Sequence, residues 1–248
     1  MKRFTKIALI SSGICLTAGI GLCISGVVLG YEPGSILEEY RVKSVSMREG
    51  SYELSDTQEY EDVTSLKVSI GAADCQIVAY DGDMVRVDTD NTRYLKCRNN
   101  GRQLIVEYGP DDEDGVFQWF GLEDMGFIKI YVPETLELKE LDLEGGAANI
   151  TAENLICQDV EMEIGAGALI YEGSVLRKIS ADCGAGSVEV IVDGEAFNYN
   201  YDLECGLGSI EVEGGPEIAG IGDTRIDNKA DKKMELECGL GSIEVSFR

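Results

Sequence analysis

The 248-residue chain contains no histidine. That removes Ser-His-Asp and Cys-His catalysis and every zinc site that needs an imidazole. Proline is scarce, at 4 residues, and there is one tryptophan. Lysine and arginine together number 21 against 46 acidic residues, for a formal net charge of −25. A surface of that sign repels phosphate backbones, so nucleic acid is not expected as a partner. No apolar stripe of 3.6-residue period appears after residue 45, which argues against amphipathic helices there. The 8 cysteines form no C-x-x-C pair. A zinc-ribbon or thioredoxin-type motif is therefore unsupported, and no cofactor is expected.

What is present begins with a hydrophobic N-terminus. Lys2, Arg3 and Lys6 precede an uncharged stretch from Ile7 to Tyr31, and Glu32, Glu38 and Glu39 follow it. As a helix that stretch would be about 37 Å long, against roughly 30 Å of hydrocarbon. It is longer than a secretory signal core, which favours an uncleaved anchor over residues 1–31. The charge order places the N-terminus in the cytoplasm and the rest outside, as a single-pass protein of the cell membrane. Cleavage after Gly30, or a lipoprotein signal at Cys23, are the rival readings. Gly13, Thr17, Gly21 and Ser25 form a small-residue ridge along one face. Such a ridge lets helices approach, but it is also common in spans that have no partner. Residues 32–62 are polar and read as a stalk or linker.

The rest of the chain, 63–248, is dominated by a repeat. Cys205-Gly-Leu-Gly-Ser-Ile-Glu-Val212 recurs word for word as Cys238 to Val245. Cys183 to Val190 is a near copy, Ile164 to Tyr171 a looser one, and Gly145 to Ala152 and Ile70 to Ile77 are degenerate. Apolar residues alternate before each glycine bend, as in Ile179, Ala181, Cys183 and in Met234, Leu236, Cys238. They alternate after it too, as in Val188, Val190 and in Ile243, Val245. This is strand, bend, strand, with one face buried. A unit of about 20 residues cannot bury that face alone, and stacking such units builds a continuous core. The expected fold is all-β, a β-solenoid ectodomain behind one transmembrane helix. An antiparallel β-sandwich is the alternative.

Stacking would align Cys183, Cys205 and Cys238 inside. An in-register ladder suits a column of small buried thiols better than disulfides, which need closer, converging Cβ atoms. Asp182, Glu204 and Glu237 would share one outward register, and Glu189, Glu211 and Glu244 another. Those columns are either solvated acidic faces or a cation site. Gly208 and Gly241 are expected to hold positive φ in the bends, so that valine there destabilises.

The first half carries further strands at Leu66 to Ile70, Met84 to Val87, Leu104 to Tyr108 and Ile128 to Val132, with a hairpin turn at Asn99-Asn100-Gly101. Between the last two strands lies an acidic insert, Gly109 to Phe127, bearing Phe117, Trp119 and Phe120. These rings are a candidate contact surface for a protein or glycan partner, or else a cap on the end of the stack.

At its G-x-G-S-[IV]-E-V repeats the chain resembles the DUF4097 family, bacterial envelope proteins grouped as adhesins that often carry one N-terminal span. Also matching are the Leu66-to-Gly71 opening, the strand ending in Val132-Pro133, and the final Gly239 to Val245. The resemblance covers roughly 63–248. It implies a right-handed β-helix-like ectodomain and no catalytic residues. The functional expectation is a membrane-anchored extracytoplasmic binding or scaffold protein, not an enzyme. Its partners would be another membrane protein, or a cell-wall or glycan ligand, with a role in envelope stress signalling. The alternative is a carbohydrate-active β-helix enzyme, since paired carboxylates are easily found on so acidic a surface.

Overall fold

Period-two alternation in the sequence becomes strand almost everywhere in the computed structural model, which describes residues 56–90, 92–109 and 126–248. The strands are β1 (Asp56–Tyr60), β2 (Ser65–Ile70), β3 (Asp74–Tyr80), β4 (Val85–Thr89), β5 (Leu95–Asn100), β6 (Gln103–Tyr108) and β7 (Phe127–Pro133). They continue with β8 (Glu137–Cys183), β9 (Ser187–Val192), β10 (Tyr199–Cys205), β11 (Ser209–Val212), β12 (Glu217–Ala219), β13 (Gly222–Ile226), β14 (Lys232–Cys238) and β15 (Ser242–Phe247). All belong to one mixed sheet. The anchor read over residues 1–31 lies outside the described residues. Among those described, no helix is long and apolar enough to cross a membrane. Residues 56–60, read as the end of the stalk, form β1 and pair with β4.

Two parallel ladders run through the sheet. The strands before the glycine bends give the order β6–β2–β8–β14–β10. Those after the bends give β7–β3–β8–β9–β15–β11. The long β8 serves both. It lends Glu140–Gly145 and Lys178–Cys183 to the first ladder, and Asn149–Glu153 and Ala168–Gly173 to the second. Repeats therefore pair in parallel, which an antiparallel sandwich of repeats would not do. Antiparallel pairing is confined to the two ends of the stack. β5 closes β6, and β4 with β1 closes β7; at the other end β13 closes β10 and β12 closes β11. Charged side chains such as Glu59, Lys96, Glu217 and Arg225 sit on these edge strands and discourage further pairing. Between β5 and β6 the turn falls at Gly101, whose φ of 77° is the left-handed conformation expected there.

The rungs are not stacked in chain order. Cys238 pairs with Cys183 on one side and with Cys205 on the other. The last repeat thus inserts between the two before it. The polar stretch between the Cys205 and Cys238 repeats supplies the closing strands β12 and β13. At the opposite end β6 and β7 lie outside β2 and β3 in the same fashion.

Inward residues of both ladders form one core cluster, including Leu66, Ile130, Leu143, Tyr171, Val190 and Ile243. Burial of each large aliphatic side chain contributes about 1.5–3 kcal/mol. The three repeat cysteines stand in register within this core. All six cysteines in the described residues are free thiols, five of them buried and Cys97 half-buried. Burial pushes Cys75 and Cys157 from the ordinary 9.0 up to about 12, and Cys238 up to about 11. Ellman's reagent at mildly alkaline pH should therefore label Cys97 first, and the other five only on unfolding. Because the folded values are raised, their contribution to stability is intact below pH 9.0 and is lost as pH climbs towards about 11 to 12. A melting temperature that is flat across that range would contradict the burial of these thiols.

Candidate interaction surface

The glycine bends stack into one corner of the fold. Gly184 donates its N–H to Ile164 C=O, Gly239 to Cys183 C=O and Gly206 to Cys238 C=O, each at 2.8 Å. A Cβ at Gly184 would lie 2.9 Å from the Gly165 oxygen, and one at Gly239 2.8 Å from the Gly184 oxygen. The second glycine of each bend is tighter. A Cβ at Gly241 would overlap the Gly186 carbonyl oxygen and lie 2.6 Å from Cys183 Sγ. One at Gly208 would overlap the Gly241 oxygen and lie 2.7 Å from Cys238 Sγ. Neither Gly208 nor Gly241 has a positive φ. The sequence expectation on that point is corrected: these glycines admit a neighbouring backbone and thiol, not a left-handed turn. The thiol of one rung and the missing side chain of the next are a single packing unit.

The middle residue of each bend has no room inward and projects to solvent. Ala147, Ala166, Ala185, Leu240 and Leu207 are all exposed, in that spatial order. Gly220 N–H donates to Gly208 C=O at 2.9 Å, which sets Ile221 at the end of the row. The sequence reading missed this row. Its only signal was that the residue between the motif glycines is apolar in every copy.

Acidic columns flank the corner on both sides. Asp182, Glu237, Glu204 and Asp223 are cross-strand neighbours in that order on one side. Glu189, Glu244, Glu211 and Glu217 follow on the other. Both shared registers expected from the sequence are present. The next column inward differs, because it is neutralised. Lys178 pairs with Glu235 at 2.5 Å, Lys233 also pairs with Glu235, and Arg225 pairs with Asp202 at 2.6 Å. Hydrogen bonds from Lys178 and then Lys233 hold the Glu235 carboxyl below its usual range. Asp182, Glu204, Glu237 and Asp223 make no ion pair within the described residues.

The Asp182 column and the neutralised column beside it line a shallow open depression of about 390 Å³, bordered by Glu161, Glu163, Asp182, Asp202, Glu204, Glu235 and Glu237 with Arg225. No aromatic ring lines it. Among the described residues, no group of three or more Cys, Asp and Glu is placed to hold a metal ion. Unpaired like charges opposite one another cost a sheet about 0.5 kcal/mol per pair. The combined variant Asp182→Asn, Glu204→Gln, Glu237→Gln should therefore be more stable than wild type by about 1 kcal/mol at low salt. The gain should vanish in molar salt, where the screening length is about 3 Å. Equal urea midpoints at low salt would show that the column carries no strain.

Phe117, Trp119 and Phe120 lie outside the described residues. The ends of their segment are placed, however. Gly71 N–H donates to Tyr108 C=O at 2.8 Å and Asp74 N–H to Gly126 C=O at 3.2 Å. The described ends of the insert, Tyr108 and Gly126, therefore lie level with the Gly71 bend.

No family model matches the sequence, and no curated protein does. Solved structures do. The crystal structure of a putative cell adhesion protein from Clostridium sporogenes ATCC 15579 superposes with a TM-score of 0.56 at 16% identity. That match spans 78% of this chain and 98% of that one. A putative adhesin from Bacteroides fragilis NCTC 9343 covers 77% of this chain and 96% of that one, at 11% identity and a TM-score of 0.33. An overlay that loose carries no weight. The first match establishes a shared all-β fold and nothing about activity.

Proposed function

We propose that this chain is a membrane-anchored, extracytoplasmic binding or scaffold protein of the bacterial envelope, of the DUF4097 type, displayed as a β-solenoid. The observation that carries this reading is the capped parallel stack itself. It repeats one surface chemistry at regular intervals along its length and leaves a shallow depression without an aromatic platform. Such a surface suits extended contact with a partner better than turnover of a small substrate. The hydrophobic stretch Ile7–Tyr31, with bases before it and acids after it, supports anchoring with the repeat domain outside. The name of the Clostridium sporogenes protein is in keeping with an adhesive role.

Two steps test it with the full chain in bacterial cells. Protease added to intact cells with a permeable wall should degrade the repeat domain. Mild crosslinking should then enrich an envelope protein or wall polymer. A repeat domain that is protected from outside, or a crosslinked sample that holds only cytoplasmic partners, would overturn the assignment.

A further inference from the structure

The apolar row at the glycine corner is the feature the fold does not account for. Leu207, Leu240 and Ile221 are 69%, 65% and 85% exposed, on consecutive levels at one end of the stack. Exposed aliphatic residues are normal singly, but a contiguous file of them marks a contact surface. Neither leucine is needed for the bend, because alanine occupies the same place at 147, 166 and 185.

The flanks say what kind of partner fits. Carboxylates border the row on both sides, and on the Asp182 side they are left unpaired while the adjacent column is neutralised by Lys178, Lys233 and Arg225. Two copies of this surface would bring like charges together, which disfavours self-association through it. Anionic lipid is repelled for the same reason. Spacing adds a third constraint. Rungs repeat at about 4.8 Å and an α-helix turns every 5.4 Å. A helix laid along the corner can therefore place one apolar residue per turn against successive levels for about 24 Å before the two repeats drift apart.

We propose that the glycine corner is a docking surface for a basic amphipathic helix of a partner protein. Its apolar stripe would lie along Leu207, Leu240 and Ala185, with lysines or arginines facing Asp182, Glu204 and Glu237. This rests on the binding reading above and names the partner class.

The test uses the full chain in zwitterionic lipid nanodiscs, with signal from empty discs subtracted. The probe is a labelled helical peptide of leucine and lysine, roughly 18 residues and about 27 Å long. Controls are the same peptide with glutamate for lysine, and a lysine-matched peptide whose leucines are scattered round the helix. Wild type should bind the first and neither control. The triple variant Leu207→Ser, Leu240→Ser, Ile221→Ser should weaken binding by at least about tenfold with its melting unchanged. Ala185→Arg, a second and independent block, should do the same. Asp182→Asn with Glu204→Gln and Glu237→Gln should weaken binding and flatten its salt dependence. Binding that survives both the serine and the arginine changes would be general attraction to an acidic protein, and would overturn the docking surface. If the peptide is ignored while crosslinking still recovers an envelope partner, the docking surface fails and the binding reading stands. If both fail, both are wrong.

Discussion

Gly241→Ala should be among the most damaging single substitutions in the chain, lowering stability by about 3 kcal/mol or more. The new Cβ would overlap the Gly186 carbonyl oxygen and lie 2.6 Å from Cys183 Sγ. That oxygen already accepts the Ser242 N–H at 3.1 Å, so it is fixed by the ladder and cannot yield. Moving it would shift the whole neighbouring rung. Gly220→Ala is the control. Its φ is +78° and nothing lies within 4 Å of the added carbon, so only backbone strain of about 1 kcal/mol is expected. Two further variants separate the causes. Asparagine tolerates the left-handed region, and would be gentler than alanine at position 241 if φ were at issue. Close approach makes it at least as harmful. Adding Cys183→Ala to Gly241→Ala relieves the sulfur and leaves the carbonyl, so little stability should return. Urea melts of the five proteins decide the matter. Equal losses at 220 and 241 would sink the steric account.

That contrast shows where the sequence was legible and where it was not. Alternation such as Met234, Leu236, Cys238 has a fixed period of two, so strand, buried face and outward column could all be read from it. Position 241 could be read as a required glycine. The reason could not be, because a Cβ clash lies between chain segments about 55 residues apart and local sequence is silent on it. The rung order was hidden for a related reason. Copies that are nearly identical in wording make nearly identical ladders, so pairing energy alone does not distinguish Cys205 from Cys238 as the neighbour of Cys183. The decision falls to the polar stretch before Lys232, which forms the closing strands at the end of the stack. The apolar row went unnoticed because alanine and leucine in a bend look like filler until the levels are superposed. The rings at Phe117, Trp119 and Phe120 are a different case. Composition alone marked them, and only the ends of their segment are placed.

The inserted last repeat makes a sharper expectation about deletion. Removing residues 232–248 takes away β14 and β15, which separate β8 and β9 from β10 and β11. Met234, Leu236, Cys238, Ile243 and Val245 leave the core together. At about 2 kcal/mol each that is about 10 kcal/mol, comparable to the whole net stability of a domain. β10 and β11 must then move one level to rest on β8 and β9, so amide protection over 199–226 should fall below that of the intact protein, and Cys183 and Cys205 should react faster with thiol reagents. Excising the longer internal segment 199–231 takes a comparable apolar loss, Tyr199, Tyr201, Leu203, Cys205, Ile210 and Val212, but takes it from the end of the stack and leaves the rungs beneath in place. Lys232 pairs with Tyr199 one rung away, so Asn198 joined to Lys232 reaches β14 with almost no change of path. β14 and β15 would then remain stacked on β8 and β9, and Ile179 to Val192 should keep its protection. Loss of β12 and β13 would leave two bare strand edges, so the shortened protein should associate more readily while staying folded. A stack built in chain order predicts the reverse, since removing its last rung would leave the Cys205 rung resting directly on the Cys183 rung. Hydrogen exchange on the two deletions, made in the full chain, therefore reads the order of the rungs directly.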